Sequence, residues 1–323
     1  MSLQLTIDFD QPSRQADAGS ATQSYVSTGM HTNAATAERE WYKLREPLCY
    51  MSFGSGSSGN SCYIGTRQGG VIVDAGVDTD KIVSALKANG VDMRHVKGLC
   101  LTHDHSDHVR YAYKLLRAYK HLRLYCTNRV LSAILRRHNI SKRIKDYHVP
   151  IFKEFPFTLA GFQITAFDVP HDAADNAGFC FEGAGKCFVM ATDLGEVSER
   201  AAYYMSKADF LMIEANYDLQ MLLNGPYPEY LKARIRTSRG HLDNTDTARF
   251  LGEIASQKLK YVFLCHLSID NNTPQKALDA IRTVLTDKGL SVGECTESIQ
   301  DRACDINLMA LPRFEPTRWF CLR

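Results

Sequence analysis

Three imidazoles and four carboxylate or hydroxyl neighbours crowd the run Thr102-His103-Asp104-His105-Ser106-Asp107-His108. Neutral imidazoles and carboxylates at such spacing suit zinc, manganese or iron at open coordination sites. Without a cation the same groups form a costly patch of desolvated polar atoms. Residues 97–101 before the run read as a strand and residues 109–120 after it as a helix. The cluster therefore sits on a loop at the C-terminal end of a strand, where open α/β architectures build their sites.

Partners for this cluster are found at equivalent positions. Asp74 ends the run Val71-Ile72-Val73 and is followed by Ala75-Gly76; His171 follows Phe167-Asp168-Val169-Pro170; Asp193 follows Val189-Met190-Ala191-Thr192; His266 ends Val262-Phe263-Leu264-Cys265. A single histidine or aspartate after a strand is usually satisfied by local hydrogen bonds. Four at equivalent strand ends are not independent.

The elements that must position these residues can be read from periodicity. Strand-like runs at 70–73, 99–101, 122–125, 162–165, 186–190, 210–213 and 261–264 alternate with helical stretches at 79–89, 109–119, 130–138, 244–256 and 274–288, an α/β pattern. The last helix has Thr273 as N-cap, Pro274 at its first position and Gly289 at its end. Residues 1–47, rich in Ser, Thr, Ala, Gln and Asp without apolar periodicity, are expected to form a disordered arm. Residues 48–293 read as the catalytic domain, and residues 294–323 form a tail without assignment.

Composition narrows the class. A 323-residue chain with 45% hydrophobic and 23% charged residues is ordinary for a soluble globular protein and can bury a sizeable core. No apolar run approaches membrane-spanning length and the N-terminus lacks the pattern of a secretory signal, so a cytoplasmic protein with no membrane partner is expected. The ten cysteines contain no CxxC pair and read as buried free thiols.

Charge supplies a clue to the substrate. Net charge is only +2, yet residues 108–145 contain no Asp or Glu and many Lys and Arg. Arg110, Lys114 and Arg117 fall at i, i+4 and i+7 of the helix leaving the histidine cluster, a basic stripe suited to substrate phosphates. A second cluster, Lys232, Arg234, Arg236 and Arg239, precedes Gly240-His241. In the loop Gly54-Ser55-Gly56-Ser57-Ser58-Gly59-Asn60-Ser61 the glycines permit close backbone approach to a ligand, and Ser58 and Asn60 are candidates to seat a terminal phosphate.

The Val73-Asp74-Ala75-Gly76 motif, the His-x-His-x-Asp-His motif at 103–108, and then His171, Asp193 and His266 together resemble the metallo-β-lactamase fold superfamily over residues 48–292. The resemblance implies an α/β fold, an αββα four-layer sandwich, with two divalent metal ions between its sheets, zinc or manganese, with iron also compatible. By motif position His103, His105 and His171 would hold one ion and Asp107, His108 and His266 the other, with Asp193 bridging and Asp74 orienting a ligand by hydrogen bond. Asp107 is also placed among the catalytic residues. The diiron oxygen-reducing branch resembles a pattern with a carboxylate at position 105, so His105 favours a hydrolase.

Three further segments, Glu214-Ala215-Asn216-Tyr217-Asp218, Gly240-His241-Leu242-Asp243-Asn244 and residues 266–272, are similar to the WalJ/YycJ-like exonuclease branch. This implies a 5′-to-3′ DNA exonuclease, with DNA favoured over RNA as partner, His241 assisting the leaving oxygen and Glu214 orienting it. Two other readings stay open. A thioester or lactam hydrolase would use the same metals, and a salt-dependent DNA-binding assay separates it from a nuclease. A non-catalytic nucleic-acid-binding module would hold one metal or none, and counting metals per chain tests that.

Overall fold

The computed structural model describes residues 47–294 and 304–322. The expected N-terminal arm lies outside them except for Pro47. The first sheet comprises β1 (Leu48–Gly54), β2 (Ser61–Thr66), β3 (Gly69–Val73), β4 (Val96–Cys100), β5 (Leu124–Cys126) and β6 (His148–Pro150) in sequence order. It is antiparallel from β1 to β3 and parallel from β3 to β6. The second contains β7 (Phe157–Leu159), β8 (Phe162–Asp168), β9 (Ala177–Gly183), β10 (Lys186–Ala191), β11 (Phe210–Glu214), β12 (Tyr261–Cys265), β13 (Val292–Glu294) and β14 (Ile306–Ala310), in the order β13-β14-β12-β11-β10-β9-β8-β7. The chain then returns to the first sheet, where β15 (Phe320–Leu322) pairs antiparallel with β1.

Nine helices occur among the described residues: α1 (Thr79–Ala88), α2 (Ser106–Val109), α3 (Ala112–Ala118), α4 (Asn128–Arg137), α5 (Glu199–Met205), α6 (Leu219–Asn224), α7 (Glu229–Ile235), α8 (Asn244–Ile254) and α9 (Pro274–Asp287). Strand alternation divides the apolar side chains into three cores. Val71 and Val73 of β3 face the second sheet, meeting Phe179, Phe188 and Phe263, while Ile72 between them faces outward onto Ile82, Leu86 and Leu115. On the far side Val189, Leu211 and Val262 pack against Leu251, Ile281 and Leu285. Helix, sheet, sheet and helix are the four expected layers. Covering both faces of each sheet explains why the strands read as continuous apolar runs.

Capping follows the sequence signals. The Thr273 side chain accepts from the Lys276 amide at 3.2 Å, and Gly289 takes the left-handed φ of 79° just past the helix end. The expected helix at 109–119 is instead broken between α2 and α3, because the Tyr111 amide donates to the Ala75 carbonyl at 2.8 Å. Arg110, Lys114 and Arg117 therefore do not lie on one continuous helix.

The unassigned tail is part of the fold. Its strands extend both sheets: β14 pairs with β12 in one, and β15 with β1 in the other. Phe320 is 3% exposed and its ring lies 5.1 Å from that of Phe263. Among the described residues no helix is long and apolar enough to cross a membrane. Replacing Phe320 with Ala is expected to cost about 3 kcal/mol in urea unfolding; a change within ~0.5 kcal/mol would mean the tail is a dispensable addition.

Candidate active site

Three of the strand ends share an uncommon backbone state. Asp74 after β3, Asp193 after β10 and His266 after β12 have φ of 58°, 55° and 55°. Non-glycine residues tolerate that region only where their surroundings compel it, at roughly 1–3 kcal/mol each. The bend turns each chain abruptly out of its sheet and leaves all three side chains in one cluster at the sheet edges.

The Asp74 turn is clamped to the histidine loop by backbone bonds. Asn60 N donates to Asp107 O at 2.7 Å, Ala75 N to His108 O at 2.7 Å, and Gly76 N to Asn60 O at 2.9 Å. Only glycine fits at position 76, since a Cβ there would lie 1.6 Å from the Asp107 carbonyl oxygen. The Asp74 carboxylate accepts from the Thr102 amide at 2.9 Å and pairs with His108 Nδ1 at 2.7 Å, which leaves His108 Nε2 for the cluster.

The predicted ligands gather as two groups. His103, His105 and His171 form one and Asp107, His108 and His266 the other; within each, one potential ligand atom per residue lies within 4.8 Å of the rest. Asp193 stands between them: Oδ2 is 3.2 Å from His108 Nε2, and Oδ1 is 3.3 Å from His266 Nε2 and 3.9 Å from His171 Nε2. His171 Nδ1 donates to Gly240 O at 3.0 Å, fixing the ring with Nε2 inward.

Donor chemistry tests whether a cation belongs here. His103 Nε2 is buried without a hydrogen-bond partner, and His171 Nε2 faces His105 Nδ1 at 3.3 Å. Burial holds the imidazoles of His103, His105 and His171 below their usual pKa, so they are neutral and able to ligate. In the second group burial resists protonation of His266, but Asp193, Asp107 and Glu214 outweigh it and push the pKa up to about 10. A cluster that draws protons onto buried histidines has an excess of negative charge. The residues fit a divalent-metal centre.

Beside the cluster, the His241 Nδ1 nitrogen is 2.7 Å from Glu214 Oε1, and Glu214 Oε2 accepts from the Leu194 amide at 2.8 Å. Burial opposes a charge on His241, yet the Glu214 carboxylate prevails and raises its pKa. His105, Asp107, Asp193, His241 and His266 line a cavity of about 250 Å3, walled on the opposite side by Tyr227, Arg234 and Arg313.

A family model described as a beta-lactamase superfamily domain matches residues 70–270, more than half of the chain. The chain belongs to the beta-lactamase superfamily. Among its relatives, the exodeoxyribonuclease YycJ of Bacillus anthracis is 32% identical over 256 residues, covering 77% of this chain and 94% of that protein. The exodeoxyribonuclease WalJ of Streptococcus pneumoniae serotype 2 strain D39 is 34% identical over 245 residues, covering 76% and 90%. The fold is also that of the metallo-beta-lactamase fold protein YhfI from Bacillus subtilis, with a TM-score of 0.60 at 15% identity over 84% of this chain and 99% of that one. Zn(2+)-bound PqqB from Methylobacterium extorquens gives 0.58 at 15% identity over 84% and 99%.

This superfamily member places its other predicted residues less uniformly. Asn60 is buried: its side chain accepts from Gly56 N at 2.7 Å and donates to Asp107 Oδ2 at 3.1 Å, so it braces the loop instead of facing a ligand. Ser58 is exposed and accepts from Arg313 Nη1 at 3.1 Å. Lys114 is taken up by Asp78 at 3.1 Å and Asp80 at 2.9 Å, and Arg117 is exposed and lines neither the catalytic cavity nor the one beside it. Arg110 lines that neighbouring cavity. In the second basic cluster Lys232 is buried and donates to Leu223 O at 2.8 Å, while Arg234 pairs with Asp172.

Two wall residues were given no role by the sequence, although Asn216 lies in one of the segments it singled out. Asp172 is 3.5 Å from His171 Nε2, and Asn216 Nδ2 donates to the His266 carbonyl at 2.7 Å. Arg313 is the larger omission, an isolated arginine in the tail that only β14 and β15 bring to the site. Asp74→Asn removes the charge that orients His108 and is expected to lower metal affinity roughly 10- to 100-fold, read by competition with a chromophoric chelator while circular dichroism stays unchanged.

Proposed function

We propose that this chain is a metal-dependent phosphodiesterase acting as a nuclease, a 5′-to-3′ exonuclease on DNA in preference to RNA. The observation that carries the reading is the His241–Glu214 pair beside two ligand groups, in a cavity whose outer wall carries arginines. The names of the YycJ and WalJ relatives support DNA as substrate and an exonuclease mode. We place the protein in the cytoplasm; among the described residues no disulfide is formed, which suits a reducing compartment.

In this reading His103, His105 and His171 would hold one ion and Asp107, His108 and His266 a second, with Asp193 available to both groups. Two divalent cations, zinc or manganese, supply Lewis acidity that lowers the pKa of a water and neutralises charge building on the phosphate oxygens. The chain's own residues do the rest. Asp107 faces the cavity and accepts a proton from the attacking water. Glu214 takes a hydrogen bond from His241 Nδ1, favours the charged ring, and leaves the Nε2 proton available to the departing oxygen. The Leu194 amide fixes the far oxygen of Glu214, so the pair has a set orientation. Arg313, which pairs with no carboxylate among the described residues, provides positive charge in the cavity wall.

The test uses end-labelled single- and double-stranded DNA and RNA with metal-loaded protein, products being resolved by length and 5′ phosphorylation. DNA shortened stepwise from the 5′ end is expected, and His105→Ala is expected to lose both metal and activity. His241→Ala should lower kcat about 100- to 10,000-fold with metal content retained. If no nucleic acid is cut by the metal-loaded protein, the nuclease reading is wrong.

A further inference from the structure

Next to the catalytic cavity lies a second one of about 140 Å3, lined among others by Ser58, Gly59, Lys81, Arg110, Arg313 and Phe314. We propose that it is a seat for the terminal phosphomonoester of the strand being cut. The proposal rests on the nuclease reading above and names the end group that the enzyme recognises.

Arg313 is the wall common to both cavities. Its Nη1 donates to Ser57 Oγ and Ser58 Oγ, each at 3.1 Å, and its Nη2 to Leu267 O at 2.6 Å. Ser57 faces the catalytic cavity and Ser58 the second one. A guanidinium has five N–H donors, so these bonds leave two for a ligand. Among the described residues Arg313 pairs with no carboxylate, and neither does Arg110. Burial lowers the Arg313 pKa, which marks a cation with incomplete compensation.

The remaining charges do not cancel this field. Lys81 Nζ bonds the Phe314 carbonyl, and its ion pair among the described residues is with Glu315, at 3.8 Å with that carboxylate 79% exposed. Such a pair contributes little and yields readily to a better anion. Asp78 also lines the cavity, but its carboxylate is paired with Lys114 at 3.1 Å. Three cations therefore converge on a space large enough for a phosphate group.

The walls are set in advance. A Cβ on Gly59 would lie 2.5 Å from the Gly76 carbonyl oxygen, and one on Gly56 would lie 3.0 Å from Arg313 Cζ. The Gly-Ser loop is thus moulded on one side to the Asp74 turn and on the other to Arg313. Arg313 lines both cavities, so a strand with its scissile phosphate in the first would place a neighbouring phosphate in the second. A terminal monoester carries about −1.5 to −2 charge, against a single charge on an internal diester. Three cations favour the monoester. Phe314, 55% exposed at the rim, offers a face for the terminal base.

Either end of a strand can carry this group, so the experiment uses the same DNA oligonucleotide with a 5′-phosphate, with a 3′-phosphate, or with hydroxyls at both ends. Binding to and cleavage by the full-length, metal-loaded protein are measured in parallel. The phosphorylated strand at one end is expected to bind about 10-fold tighter or more than the hydroxyl strand, and the arm that shows it identifies the end. Arg313→Gln should bring that ratio towards one. Because Arg313 also braces the loop, Arg110→Gln, whose side chain makes no hydrogen bond or ion pair among the described residues, should narrow the ratio too, with metal content and Tm of both variants recorded. Equal binding of all three strands by the unmodified protein, or a ratio that neither variant alters, overturns the seat. A phosphate preference in binding without any cleavage leaves the seat standing and refutes the nuclease reading instead.

Discussion

The backbone junction around Gly76 is the contact on which the site depends. It joins three segments that are distant in sequence, the Gly-Ser loop, the end of β3 and the loop opening α2, through amide bonds from Asn60, Ala75 and Gly76, while Tyr111 closes the set from the next helix. These are interactions of backbone with backbone at 2.7–2.9 Å, possible only because residue 76 has no side chain. The same junction sets the position of Asp107 and His108, interrupts the following helix and gives the Gly-Ser loop a surface to lie on. Side-chain chemistry at the site is therefore built upon a main-chain joint.

Electrostatics provide the second layer. Asp74, Asp107, Asp193 and Glu214 bring carboxylates into a poorly hydrated space, where unpaired negative charge is strongly disfavoured. The left-handed turns at Asp74, Asp193 and His266 add conformational cost of their own. Both costs are offset by the packing of three apolar cores and by whatever cation the site binds. Stability and metal loading are consequently linked in this chain, as ligand binding to the native state alone requires.

Much of this was legible in the sequence because each ligand follows an apolar run, and an apolar run of five or six residues identifies a buried strand. The end of the strand then locates the residue. The four-layer arrangement and the two ligand groups came from the resemblance that these residues carry to the metallo-β-lactamase fold superfamily. What escaped had no periodic signal. Helix α7 is seven residues long, too short to display an amphipathic pattern, yet its Leu231, Arg234 and Ile235 line the cavity. Strands β14 and β15 are short and separated from the main domain by an uninformative stretch. The break at Tyr111 arises from a hydrogen bond to Ala75, a contact invisible to local propensity. Asn60 looked ligand-facing because its neighbours are glycine and serine; its burial is decided by Asp107, which lies far away in sequence.

Residues 311–319 run from the edge of one sheet to the other, with Arg313 near the start of that crossing. All the candidate metal ligands precede it. During synthesis the histidines and aspartates are made before the arginine that closes the cavity wall and the strand that completes the first sheet. A nascent or prematurely terminated chain would thus carry the ligands without the finished pocket. The order of translation itself delays the assembly of a potentially destructive activity until residues 311–322 have been made.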